Sequence, residues 1–216
     1  MAAKKRQRHA MSRRRRSGLL LLAMAAVSAC VWLDRHYGGG IRTEIVQHAH
    51  WGLDGLKYQD KPFAVVSVVD GDTLDLDVPD GPDDHTRVRL LGIDTPETKD
   101  PRVGLMYYGL EASAFAEALA EGKTVTVILD TVGDVRDIYG RLLAYIQLED
   151  GRVLNEELLA GGFGYADLRF KHSYFDRYVL LQQQAMDKQA GLWKEVSRDQ
   201  LPKWLQRERP DLPVRP

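Results

Sequence analysis

From Phe63 onward the chain settles into short runs with a period of two. Phe63–Val69 is β-rich and ends at Asp70-Gly71-Asp72, a turn signal. Thr73–Val78 alternates, with Leu74, Leu76 and Val78 on one face and Thr73, Asp75 and Asp77 on the other. Pro79–His85 reads as a polar loop, and Arg87–Ile93 as a third strand, apolar on both faces apart from its arginines. The period then lengthens: Ala112, Phe115, Ala116 and Leu119 form one stripe of a helix over Leu110–Glu121, with Gly122 as its stop. Thr124–Leu129 and Arg141–Leu148 are two further strands. A short helix follows Asn155 and ends at Gly161-Gly162, and a longer one spans Phe175–Gln189, closed by Gly191. Five short strands with helices after the third and fifth predict an α+β fold: a five-stranded OB-type Greek-key β-barrel with about three helices.

The N-terminal part has a different pattern. Residues 1–16 carry eight basic side chains and no acid, and the next charge after Arg16 is Asp34. The apolar run Gly18–Leu33, about 24 Å long as a helix, predicts a hydrophobic helix ahead of the barrel, with residues 1–16 cytoplasmic and the rest outside. Three fates fit this segment. It is an uncleaved anchor, a signal cleaved after Ala29, or a lipoprotein signal with Cys30 taking the lipid. The anchor is the working expectation. The expected organisation is residues 1–33 as basic N-terminus and signal or anchor, 34–60 as a linker around Gly38-Gly39-Gly40, 61–195 as the folded domain, and 196–216 as an irregular tail holding Pro202, Pro210, Pro213 and Pro216.

Charge narrows the function. The whole chain sums to −1, but without the eight basic residues 22 Lys and Arg face 31 Asp and Glu, so residues 17–216 carry −9. An acidic body argues against a stoichiometric DNA coat. It leaves open an enzyme that meets phosphate in a small cleft. The lone Cys30 forbids an internal disulfide, and no CxxC or HExxH pattern offers a zinc site. The six histidines are scattered and read as exposed or core-satisfied imidazoles.

Between Val69 and Glu97 the residues suit phosphodiester chemistry, which needs hard oxygen ligands for a divalent cation, a carboxylate for water and fixed cations for the phosphoryl oxygens. Asp72 follows a glycine in a turn, and Arg89 lies in the third strand. Asp94 and Glu97 flank Thr95-Pro96, so a proline-fixed turn lets both carboxylates face one point. Arg141 opens the fifth strand after Tyr139-Gly140. Singly, Asp-Gly-Asp is a turn and Asp-Thr-Pro-Glu a helix start. Together, VVDGDTLDL, RVRLLGIDTPE, YYGLEASAF, DIYGRLLAYI and GRVLNEELL resemble, in this order, the signature segments of the staphylococcal nuclease family, over about Phe63 to Trp193.

That resemblance implies a calcium-dependent, sugar-nonspecific endonuclease that hydrolyses DNA and RNA to 3′-phosphate products. It implies Asp72 and Asp94 as side-chain ligands of Ca²⁺, Thr95 as a carbonyl ligand and Glu97 as base or water-orienter. It implies Arg89 and Arg141 as phosphate clamps and Tyr139 as a residue near the nucleotide. Two family tyrosines are replaced, by Leu168 and Phe170, with Tyr165 nearby. The expected state is a monomer tethered to a membrane or secreted, its barrel outside the cytoplasm. The rival readings are a non-catalytic nucleic-acid-binding module and a membrane-tethered scaffold. Both leave the arginines and carboxylates without a task.

Overall fold

A computed structural model describes Ser28, Trp32 and residues 51–215. The chain divides between His50 and Trp51, and the fold described is that of the second part. The expected hydrophobic helix, and with it the choice among anchor, signal and lipoprotein, lies outside the described residues apart from Ser28 and Trp32. No helix among the described residues is long and apolar enough to cross a membrane.

Among the described residues seven strands form: β1 (Lys61–Asp70), β2 (Thr73–Leu76), β3 (Thr86–Leu90), β4 (Ile93–Asp94), β5 (Thr124–Leu129), β6 (Leu142–Leu148) and β7 (Tyr165–Ala166). Five of them close a barrel in the order β1-β2-β3-β6-β5, with β1 antiparallel to both β2 and β5. The parallel contact of β3 with β6 completes the OB-type crossover expected from the strand spacing. Closure removes exposed sheet edges. Alternation fills the interior: Leu74, Leu76, Val88, Leu90, Val125, Val127 and Leu129 are all buried. Arg87 and Arg89 occupy the outer face of β3, opposite Asp75 and Thr73 of β2. The third strand is thus one-faced rather than apolar on both sides.

Around the barrel sit α1 (Gly109–Ala120), α2 (Leu154–Ala160) and α3 (Phe175–Asp187). The buried Asn155 ties α2 to the barrel: its side-chain amide donates to the Leu91 carbonyl at 3.0 Å and its oxygen accepts from Ile146 N–H at 3.1 Å.

Two expectations are corrected. The linker does not extend to residue 60. Residues 51–58 are helical, and Trp51 and Tyr58 are buried against the barrel core. These two aromatics stand seven residues apart, two helical turns, and so share one face; Gly52 and Gly55 between them disguise the pattern. The tail is not irregular either. It contains a 3₁₀ turn (Arg198–Gln200) and a helix, α4 (Lys203–Glu208), entered through Pro202. Val196, Leu201, Trp204, Leu205 and Leu212 are buried in a second cluster with Tyr165, Ala185, Leu192 and Trp193. Proline just before a helix starts it as readily as proline elsewhere ends one, and the apolar residues between the prolines find a partner only in tertiary structure.

One break in the barrel aims the rest of the site. β3 stops at Leu90, and Gly92 takes a positive φ of 78°. A side chain there would also collide with the His172 ring, 2.4 Å from an ideal Cβ. His172 itself is core: its Nδ1 lies 2.9 Å from the Tyr145 hydroxyl. Burial pushes its pKa below the ordinary imidazole value despite Asp130. After this kink the chain restarts as β4 and pairs with β7, Ile93 opposite Ala166 and Asp94 opposite Tyr165.

Candidate active site

The kink places two acids against one guanidinium. Arg89 bridges the turn before β2 and the strand after the kink, pairing with Asp72 through Nη1 and with Asp94 Oδ1 through Nη2 at 2.5 Å. Asp72 is almost wholly buried. Its Oδ2 accepts the Thr95 backbone N–H at 2.8 Å and its Oδ1 the Thr73 hydroxyl at 3.1 Å. Burial opposes the charge on Arg89, but the carboxylates of Asp72 and Asp94 outweigh it and hold the pKa above its ordinary value. Burial pushes the Asp72 carboxyl up against the opposing pull of Arg89, and Asp94 adds to the rise. Gly71 is required here by contact: a Cβ would lie 2.8 Å from the Thr95 hydroxyl oxygen.

Glu97 follows the proline turn. Its Oε1 accepts three backbone N–H groups, from Thr98 (2.9 Å), Lys99 (2.8 Å) and Asp100 (3.0 Å). Burial favours the protonated form, yet these donors prevail and hold the pKa below the usual carboxylate value. Glu97 is therefore ionised at neutral pH and rigidly placed. Beside it stands Asp70, whose Oδ1 accepts from Gly71 N–H (2.8 Å) and Thr98 Oγ1 (3.1 Å). Burial, then the charge of Asp72, pushes the Asp70 carboxyl up to about 6.

Across the opening, Asp137 folds its own loop. Its Oδ1 accepts the backbone N–H groups of Tyr139 (2.9 Å) and Arg141 (3.0 Å), while Oδ2 accepts from Arg141 Nε at 2.6 Å. The Arg141 guanidinium lies over the Tyr139 ring at 5.6 Å. The Tyr139 ring is 76% exposed.

A cavity of about 980 Å³ opens between these elements, and Arg89, Asp94, Glu97, Tyr139 and Arg141 all line it. The structure thus brings five of the seven sequence-predicted site residues to one cavity. The other two, Asp72 and Thr95, lie beneath its floor, linked to it through Arg89 and Asp94. Three residues were missed by the sequence reading. In the sequence Asp70 reads as part of a turn. Arg169 chelates Asp167 (2.8 and 2.7 Å) and approaches Asp94 Oδ1 at 3.5 Å. Trp204 donates its indole N–H to Asp94 Oδ2 at 2.7 Å. Asp-Gly-Asp held a signal for the first; Arg169 and Trp204 had none. At the positions of the two replaced tyrosines, Phe170 is exposed and lines the cavity, whereas Leu168 packs into the second cluster. Tyr165 is fully buried against Trp193 and belongs to the core.

Chemically the site is an oxygen-donor pocket with an acid excess. Among the described residues no group of three or more His, Cys, Asp or Glu side chains is gathered as a ready-made metal cage. The donors present still fit a hard divalent cation. Asp72 and Asp94 carry carboxylates, the buried Thr95 hydroxyl lacks a hydrogen-bond partner, and neither sulfur nor imidazole intrudes. Such cations complete their shells with main-chain carbonyls and water.

The chain is similar in sequence to known proteins. The staphylococcal nuclease homologue family matches residues 87–195. The thermonuclease of Staphylococcus intermedius is 36% identical over 136 residues, covering 61% of this chain and 76% of that protein. The thermonuclease of Staphylococcus hyicus is 33% identical over 135 residues, 62% and 76% of the two chains. Endonuclease YncB of Bacillus subtilis is 35% identical over 129 residues, 59% of each.

Proposed function

Because the chain belongs to the staphylococcal nuclease homologue family, we propose that it is a calcium-dependent endonuclease hydrolysing phosphodiester bonds of DNA and RNA to 3′-phosphate products. The observation that carries the proposal is the convergence of Arg89, Arg141, Asp94 and Glu97 on one cavity.

Asp72, Asp94 and the Thr95 carbonyl would hold the calcium ion. Bound there, the ion would neutralise charge on a phosphoryl oxygen. The chain's own residues account for the rest. Glu97, kept ionised by three N–H donors, accepts a hydrogen bond from water and aims it at phosphorus. A carboxylate with a depressed pKa is a weak base, so orientation of the water is its larger contribution. Arg89 and Arg141 meet the charge that grows on the phosphoryl oxygens, a task suited to planar, bidentate donors. Tyr139 and Phe170, both exposed at the cavity, offer stacking faces that tolerate any base. Cleavage of a defined DNA and a defined RNA oligonucleotide, with the ends identified by mass spectrometry, tests this. Both should be cut and both should carry 3′-phosphates; 5′-phosphate ends or strict discrimination between the sugars would contradict it.

We further propose that the nuclease body lies outside the cytoplasm, held at the membrane by the apolar segment Gly18–Leu33. Support comes from the eight basic residues that precede it and from the abundance of calcium that extracellular sites exploit. Protease added to intact cells should degrade the body while it still fractionates with membranes. A protected body, or one wholly in the cytosol, would refute this placement. Cys30→Ser separates the tethers: release of the body indicates lipidation, and no change indicates the helix.

A further inference from the structure

Asp94 is held by more than the barrel. Its backbone is fixed by pairing with β7. Its Oδ1 takes Arg89, and its Oδ2 accepts the indole N–H of Trp204 at 2.7 Å. With both carboxylate oxygens engaged by donors from different directions, the plane of the group is set. Trp204 comes from α4, 110 residues further along the chain and beyond the family-matched stretch that ends at residue 195. Its ring also carries the Arg169 guanidinium at 4.6 Å, and that guanidinium in turn approaches Asp94 Oδ1.

The segment that delivers Trp204 is anchored rather than adventitious. Leu201, Leu205 and Leu212 are buried on either side of it. Ser197 N–H donates to the Gln200 side chain at 2.9 Å at the turn before α4, and Ser197 pairs with Arg215 in a parallel bridge. Burial in this cluster does not by itself supply an acceptor: Trp193 leaves its ring nitrogen without a hydrogen-bond partner. The Trp204 ring nitrogen instead finds the one acid that stands at the edge of β4 and lines the cavity.

We propose that Trp204 is a positioning residue for cation binding: the C-terminal segment reaches under the cavity and orients Asp94 through the indole N–H, making residues 196–215 part of the active site rather than a tail. This rests on the reading of Asp94 as a calcium ligand. Groups that hydrogen-bond a metal ligand from behind change metal affinity by about 10–100-fold when removed, because an unoriented carboxylate loses rotamer freedom at the moment of binding.

The test is calcium affinity of the full-length protein, measured by calorimetric titration without nucleic acid, for wild type, Trp204→Phe, Trp204→Leu, Leu205→Ala and Asp94→Asn. Trp204→Phe keeps an aromatic face for Arg169 and removes the donor together with part of the indole's buried volume. It should weaken calcium binding about tenfold while melting, in chelator, within a few degrees of wild type. In turnover it should raise the calcium concentration needed for half-maximal rate, with KM for nucleic acid little changed. Leu205→Ala, buried in the same helix but away from Asp94, should lower the melting temperature and leave calcium affinity alone. Wild-type affinity in both Trp204 variants, with binding abolished in Asp94→Asn, would overturn the positioning role and leave the site intact. Undiminished binding in Asp94→Asn would remove the ligand assignment itself. If neither Trp204 variant folds, the residue is structural and the inference fails.

Discussion

Arg89→Lys should lower turnover by about 10²–10³, the cost of losing one preorganised donor to a developing oxyanion, with a much smaller change in KM. Arg89 bridges Asp72 and Asp94 with two different nitrogens and still opens onto the cavity. An ammonium retains the charge but is a single point on a flexible stem, so it cannot span both carboxylates and face a phosphoryl group. The measurement is kcat and KM on an oligonucleotide, with a thermal melt alongside. The melt separates a lost clamp from a lost fold, since Arg89 is well buried and its pairing also neutralises Asp72. Near-normal turnover in the lysine variant would make Arg89 an ion-pairing residue of the scaffold and remove it from catalysis.

Glu97→Gln should cost about 10²–10⁴ in kcat, the usual range for a positioned acid–base group. The substitution is conservative where it matters for folding. The amide oxygen of glutamine can still accept the N–H groups of Thr98, Lys99 and Asp100 that now converge on Oε1. What disappears is the negative charge that polarises water. The variant should therefore melt close to wild type and bind oligonucleotide as well, with the loss confined to the chemical step. Retained turnover would show that water is placed by another group, and the neighbouring Asp70, with its carboxyl pushed up to about 6, would be the next to substitute.

The barrel was legible because its signal is local and repetitive. Val125, Val127 and Leu129 face inward and Thr124 and Thr126 outward, and a period of two survives any tertiary context. The Asp72–Glu97 stretch was legible for a related reason: the acids and Arg89 are close in sequence, on adjacent strands and the turn after them. Two regions were not. In residues 51–58 the buried face is Trp51, Gly55 and Tyr58, and with a glycine at its centre only the two aromatics carry an apolar signal, too few to show a helical period. In residues 196–215 the prolines suggested irregularity, while the partners of Leu201, Trp204 and Leu205 lie in α3 and β7 and in the turn after α3. Trp204 and Arg169 were invisible for the same reason. Their contact with Asp94 spans 110 residues in one case and 75 in the other, and nothing in the local pattern announces it.

The single measurement closest to the central claim is hydrolysis of single-stranded DNA and of RNA by the full-length protein, with calcium and with excess chelator. The account predicts cleavage of both substrates in calcium, arrest in chelator and recovery when calcium is restored. Undiminished cleavage in chelator, or intact substrate in calcium, would contradict it.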